Sequence, residues 1–338
     1  MAPPRGIPSI SVVVPNARAF PAGLVHGLLA RLREDDEVIV VRNHPTGGGR
    51  RWTGLAGSPA TSAAESGDHP PPPDSSLSLD SDALVLLESR PGAAAARNVG
   101  WRTARHRWVL FLDDDVGIPG SFLDTVRSRI IDEHAHGVTT FRVRSVDGPW
   151  SALIRRTISL DRGAVKLQSG GAPLVLADTW RYGVGAAMLV RRDILEDTGG
   201  FKEKLGASRK HGGGEDLEFL WHASRHTAIQ YLGDVAVDHR DVEEVIDLGR
   251  KFCHYGRAIA RLSGTSKERH GLDAVTGYCI HIASAIMDCG RLTECRFRER
   301  WVLRVHALLA VVETGCVYLG SLLMDPRADL LCQDCLVK

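Results

Sequence analysis

The sequence predicts an α/β fold: a mostly parallel central sheet flanked by helices, followed by a C-terminal helical region. Three observations carry this. Four short runs rich in β-branched residues and leucine, "SISVVV" (9–14), "EVIVV" (37–41), "ALVLLES" (83–89) and "WVLFL" (108–112), have the length of strands. Helical periodicity follows the first and the third of them, which gives strand–helix–strand units of the kind that build parallel sheets. The unbroken apolar run Val109 to Leu112 also suits a strand covered on both faces.

Taken in order, "AGLVHGLLARLRED" sets Leu24, Leu28 and Leu32 four residues apart and predicts the first helix. Residues 46–82 break the pattern. They are dominated by Gly, Pro, Ser and Ala, contain a four-proline run, and have too little apolar surface to order themselves. A disordered surface insertion between the second and third strands is expected there, with a functional lid as the alternative. "GAAAARNVGWRTARHR" predicts a helix with basic residues near its C-terminus, where they suit the helix dipole. "IQYLGDVAVDHRD" contains a late strand-like run, Asp234 to Val237, that ends at Asp238 and His239.

Beyond it, "VEEVIDLGRKFCHYGRAIARL" places Val245, Leu248, Phe252, Tyr255, Ile259 and Leu262 on one helical face. "RFRERWVLRVHALLAVVETGCVYLGSLLM" joins a basic run to a largely apolar stretch of nearly membrane-spanning length. His306 and Glu313 interrupt it, and a mid-span carboxylate costs about 2.5–3.5 kcal/mol on an insertion scale. A buried helical hairpin is therefore the expectation. Peripheral membrane contact through Arg296, Arg298, Arg300 and Arg304 is the alternative. The chain accordingly divides into a domain over 1–240 and a helical region over 241–338.

With 338 residues, 43% of them hydrophobic, the chain can bury a substantial core. A formal net charge of +1 gives no reason to expect a nucleic-acid partner. The N-terminal "MAPPRGIPSISVVVP" has too short an apolar run before Pro15 for a secretory signal, so the cytoplasm is the expected location. All seven cysteines fall in the last quarter of the chain and are expected as buried thiols. The terminal "CQDC" lacks a second ligand pair and is weak as a metal motif.

The chemistry begins at "WVLFLDDDV", where three carboxylates follow a buried strand. Two such charges about 4 Å apart repel by about 4 kcal/mol at an effective dielectric of about 20. The cluster must be solvated, partly protonated or bound to a cation. Alternate strand side chains share a face, so Asp113 and Asp115 are expected to point together and Asp114 away. Oxygen ligands of this kind favour Mg2+ or Mn2+ with phosphate oxygens completing the shell. A lone acidic turn is the simpler reading of such a motif taken by itself.

Two further elements accompany it. "HGGGEDLEFLWHASR" brings a glycine triplet into Glu215 and Asp216 at the start of a helical pattern. Carboxylates in a first helical turn are also what any helix prefers. His239 at its strand end can complete a metal shell, although such a histidine is more often structural.

In their order these pieces resemble the family 2 glycosyltransferases, nucleotide-sugar enzymes with a GT-A (Rossmann-like) fold, over 9–240. The matching stretches are "SVVVP", "GAAAARNVGWRTA", "VLFLDDDVGIPGSFL", "GVGAAMLVRRDILEDTGGFKEKLG", "GGGEDLEFLWHA" and "VDHR". The resemblance implies that Asp216 is the catalytic base and Glu215 its neighbour. It implies that Asp115, with Asp113 and His239, holds a divalent cation, manganese or magnesium, and that Pro15, Asn16, Arg97, Asp113 and Asp114 face the nucleotide-sugar donor. Where the family commonly has an Asp pair after the second strand, this chain reads "VVRNHP"; Asn43 has an amide able to bond a pyrimidine.

The implied reaction is inverting glycosyl transfer from a nucleoside diphosphate sugar to a hydroxyl or amine acceptor, in a natural product or a cell-envelope glycan or lipid. Trp180, Tyr182 and Trp221 are candidates for stacking on a sugar, with core packing as the alternative. Two other functions compete. A sugar-phosphate nucleotidyltransferase would carry a glycine-rich, arginine-containing loop after the first strand, which "VVVPNARAF" lacks. A non-catalytic nucleotide-sugar scaffold would have no need of the Glu215–Asp216 pair.

Overall fold

Strand β1 (Ile10–Asn16) is buried along its whole length and lies near the middle of the sheet. The computed structural model describes residues 8–17, 20–43, 51–52, 83–131, 136–146, 148, 150, 154, 161–170, 172–205, 213–240, 242, 244–266, 271–289 and 297–323. On one side of β1, β2 (Glu37–Asn43) and then β4 (Ala83–Glu88) add in parallel. On the other, β5 (Trp108–Leu112) adds in parallel, pairing Val13 with Phe111. These are the four strands expected from the sequence. Of the proposed insertion, Arg51–Trp52 form a short strand, β3, antiparallel to β4; the remainder lies outside the described residues.

The far half of the sheet is mixed. β9 (Ala187–Arg191) runs antiparallel between β5 and β7 (Val138–Val146), and β10 (Ile229–Arg240) returns parallel to β7. Short strands β6 (Val116–Gly117) and β8 (Lys166–Gln168) both pair antiparallel with β10. The late strand is longer than the Asp234–Val237 run expected, and its register with β7 shifts between Leu232 and Ala236.

Alternation along the strands sorts side chains into two apolar layers. Val12, Val14, Leu110 and Leu112 face α1 (Ala22–Leu29) and α3 (Phe122–Ile131), meeting Leu24, Leu28, Phe122 and Val126. Val13, Val109 and Phe111 face the opposite layer with Ala96 and Trp101 of α2 (Ala93–Thr103). Ile194 and Leu195 of α5 (Arg192–Thr198) and Phe219 and Leu220 of α6 (Glu215–Ala223) complete that layer; a single turn, α4 (Leu176–Thr179), precedes them in the chain. Two-sided cover is the physical reason that "WVLFL" contains no polar residue.

The C-terminal region forms three helices, α7 (Val245–Ser266), α8 (Gly271–Cys289) and α9 (Phe297–Leu323). Leu248, Phe252, Ile282, Leu303, Ala307 and Ala310 make a separate apolar cluster between them. The expected burial of the last apolar stretch holds for only one face of α9: Leu308 is 67% exposed and Leu319 61%. The thiols differ in the same way. Among the described residues Cys253 is free and buried, whereas Cys316 is free and exposed. The "CQDC" motif lies outside the described residues.

Candidate functional site

Parallel strands of such a sheet leave a crevice beyond their carboxyl ends. Here it is a cleft of about 830 Å³. Pro15 and Asn16 from the end of β1, Asn43 from the end of β2 and Arg97 from α2 line it. Asp113, Asp114 and Asp115 follow β5, Glu215 and Asp216 open α6, and His239 comes from β10. The donor, cation and base candidates read from the sequence therefore all border one cavity.

The aspartates do not continue the strand. β5 ends at Leu112, and the Val116 N–H reaches the Asp113 carbonyl at 3.5 Å, so the three carboxylates sit on a turn. The strand alternation expected to set Asp113 and Asp115 on one face does not apply on a turn, and the two carboxylates take different partners. Asp113 accepts a hydrogen bond from Arg97 Nη2 at 2.7 Å. Asp114 Oδ2 accepts from Asn16 Nδ2 at 2.8 Å and from the Ala17 N–H at 3.2 Å, which fastens the end of β1. Asp115 approaches His239 Nε2 at 3.6 Å. The predicted repulsion is relieved by giving each carboxylate a different partner.

Arg97 is the buried hub. Its Nη1 donates to Glu215 Oε1 at 2.9 Å while Nη2 holds Asp113, and its guanidinium lies 5.5 Å from the Phe201 ring centroid. Burial works to lower the Arg97 pKa, but the charges of Asp113, Glu215 and Asp216 outweigh it and hold the guanidinium charged. Burial pushes the Glu215 carboxyl up, against the pull of Arg97 and with the Asp216 charge adding to the rise.

Asp216 is held differently from its neighbour. Its Oδ2 accepts from the Gly185 N–H and its Oδ1 from the Leu217 N–H, both at 2.9 Å. Gly214 immediately before α6 has φ +103°, a conformation that L side chains rarely adopt, which explains a glycine at the point where the pair turns into the cleft. Gly185 was not singled out from the sequence; only its place in the "GVGAAMLV" stretch could have marked it.

Asn43 departs from expectation. Nδ2 donates to the carbonyls of Arg90 (2.5 Å) and Gly92 (3.3 Å), and Oδ1 accepts from the Gly92 N–H at 3.1 Å. Both amide hydrogens thus secure the turn that leads into α2. Among the expected stacking residues, Trp180 lies under Arg162 at 4.8 Å, Trp221 under Arg225 at 3.9 Å, and Tyr182 packs against the second apolar layer; none borders the cleft.

Sequence reading missed the opposite wall, formed by Arg250, Lys251, His254, Tyr255 and Arg257 of α7. The signal was available: Arg250, His254 and Arg257 recur at i, i+4 and i+7 and share one helix flank. Tyr255, expected on the apolar face, borders the cleft instead. Burial followed by the charges of Arg257 and Lys251 lowers the His254 pKa, against the opposing pull of Asp216.

For a cation, Asp115 and His239 are a carboxylate and an imidazole close enough to share an ion, while Asp113 is already paired by Arg97. Among the described residues no group of three or more His, Cys, Asp or Glu side chains forms a ready-made cage. Such a pair fits an ion whose remaining ligands come from a bound phosphate and water.

Comparison with known proteins agrees with this architecture. Residues 76–199 match the family model described as glycosyl transferase family 2. The chain is 28% identical over 237 residues to a pre-mycofactocin glycosyltransferase of Mycobacterium tuberculosis, an alignment covering 68% of this chain and 48% of the relative. The chain thus spans about half the length of the curated relative it matches. Among solved structures, the mannosyltransferase PcManGT from Pyrobaculum calidifontis in complex with GDP-Man and Mn2+ is similar with a TM-score of 0.51 at 16% identity, covering 94% of this chain and 88% of that one. S. aureus TarS 1-349 in complex with UDP gives a TM-score of 0.50 at 17% identity, covering 93% and 89%. The segment that matches the glycosyl transferase family 2 model contains the three aspartates and Arg97, and the sheet has the fold of these structural neighbours.

Proposed function

We propose that this protein transfers a glycosyl group, with inversion, from a nucleoside diphosphate sugar to a hydroxyl or amine acceptor in a natural product or a cell-envelope glycan or lipid. The observation that carries this is the convergence of a positioned carboxylate, Asp216, with the acidic turn 113–115 in one cleft at the strand ends. The relatives' names, which include a glycosyltransferase and structures with UDP and with GDP-Man and Mn2+, support the same donor class.

In this reading the acceptor oxygen or nitrogen attacks the anomeric carbon. The bond from that carbon to the phosphate oxygen breaks, the nucleoside diphosphate leaves with the bonding electrons, and the acceptor proton passes to Asp216. The two N–H donors from Gly185 and Leu217 aim Asp216 and leave lone pairs to take that proton. Arg97 locks Glu215 and Asp113, fixing the floor beneath the reacting groups. Asp115 and His239 would hold a divalent cation, which when bound supplies positive charge to the leaving diphosphate. Asn16, oriented by Asp114, borders the donor side.

The test is a thermal-shift screen of UDP-, GDP- and dTDP-sugars with Mn2+, with Mg2+ and with chelator, followed by assay of donor turnover. A ligand that binds the folded state raises its stability by mass action. A cation-dependent shift with one donor supports the reading, and the absence of a shift with every donor and cation counts against it.

A further inference from the structure

The outer face of α9 is a continuous apolar stripe. Trp301 (54% exposed), Val305 (46%), Leu308 (67%), Val312 (53%) and Leu319 (61%) follow one another at spacings of four, three, four and seven residues, and therefore share one side of the helix. Over 298–320 the helix is long and apolar enough to cross a membrane, yet only 22% of its most apolar window is buried. A core helix of a soluble protein would be mostly covered.

The polar residues that seemed to interrupt this stretch face elsewhere. His306 packs over Gly249 of α7, where a Cβ would stand 2.4 Å from the ring, and its Nδ1 lies 2.8 Å from the Val302 carbonyl. Glu313 pairs with Arg257 of α7 at 3.3 Å. Leu303, Ala307, Ala310 and Thr314 are buried on the inner face. One side of α9 is thus occupied by the protein, which rules out a helix surrounded by lipid. The other side is left apolar, and the exposed arginines Arg298 and Arg304 stand at its N-terminal end.

An amphipathic helix with this arrangement lies in the plane of a membrane interface, apolar side in the acyl boundary and cations at the phosphates. We propose that α9 docks the protein on an anionic bilayer surface through Trp301, Val305, Leu308, Val312 and Leu319, with Arg298 and Arg304 contacting lipid phosphates. The segregated charge is what favours lipid over a second copy of the chain, because two such faces brought together symmetrically would bring basic ends into an otherwise apolar contact without an acidic counterpart on the stripe.

The test is flotation of the full chain with phosphatidylcholine vesicles and with vesicles containing phosphatidylglycerol, together with light scattering after gel filtration. The chain should float with the anionic vesicles. L308D/V312D should reduce the bound fraction at least tenfold. R298Q/R304Q should abolish the preference for the anionic vesicles. Brominated acyl chains should quench tryptophan fluorescence in the parent protein, and W301F should lose most of that quenching. Both exposed pairs leave the core and the cleft untouched, so an unchanged melting temperature reports folding; W301F gives a readout that needs no charged substitution. Failure of the parent protein to float with either vesicle overturns the proposal. So does a dimer dissociated by L308D/V312D without any vesicle binding.

Discussion

Arg97 Nη2 lies 2.7 Å from Asp113 and Nη1 lies 2.9 Å from Glu215, so one guanidinium joins the turn after β5 to the first turn of α6. Arg97 and Glu215 are 118 residues apart in the chain. The bridge is what gives the cleft a single floor. Removing the cation while leaving both carboxylates strands a buried Glu215 beside a half-exposed Asp113. Arg97→Met is therefore expected to cost about 3–5 kcal/mol in urea unfolding, the range for breaking a buried ion pair from one side, reduced to the extent that water reaches Asp113. A loss under about 1 kcal/mol, the scale of an exposed pair, would show that the bridge is not the organising contact.

Asp216→Asn should retain the donor-induced thermal shift and lower turnover by about 10²–10⁴-fold, the usual contribution of a general base. The amide keeps one oxygen to accept from a backbone N–H, so the position should persist without its proton affinity. Near-parental turnover in this variant would rule out the base assignment.

His239→Ala should reduce the part of the donor shift that chelator removes and leave the chelator-insensitive part in place. Titrating Mn2+ against donor-induced stabilisation measures this directly. If the Mn2+ midpoint is the same in the variant, Asp115 and His239 do not form the ion-holding pair.

Asn43→Ala should destabilise the fold by about 1–2 kcal/mol, since three partly exposed hydrogen bonds to the Arg90–Gly92 turn are lost. Its preference among UDP-, GDP- and dTDP-sugars should not change. A switch of nucleotide preference would return Asn43 to base recognition.

Acid should act through His254. Its folded-state pKa is lowered, so as pH falls through the ordinary histidine range the unfolded chain takes up a proton that the folded chain resists. More protons on the unfolded state mean that stability falls with falling pH, and the loss begins near the unperturbed pKa of about 6.5. Arg257 and Lys251 oppose protonation and Asp216 favours it, with burial the largest influence. Melting temperatures of the parent protein and His254→Gln between pH 7.5 and about pH 5.5 check this: the parent should lose more than the variant. Equal losses would assign the acid sensitivity to other groups.

The sequence by itself determined β1, β2, β4 and β5, because short β-branched and leucine-rich runs of strand length alternate with helical patterns, and it singled out the acidic turn, the Glu215–Asp216 pair and His239 through a resemblance to one family. It did not determine which partner each aspartate takes. Spacing along a strand suggested a shared face for Asp113 and Asp115, but the chain turns after Leu112, and only the fold brings Arg97, Asn16 and His239 to the three carboxylates from separate elements. The partners of Asn43 were hidden for the same reason: it stands at a strand end on the cleft, and only the fold places the turn at Arg90 and Gly92 beside its amide. The reversal of β9 and the basic wall of α7 were decided at the tertiary level too. Local periodicity specifies which residues share a face, whereas the direction of a strand and the neighbour of a face depend on contacts between segments far apart in the chain.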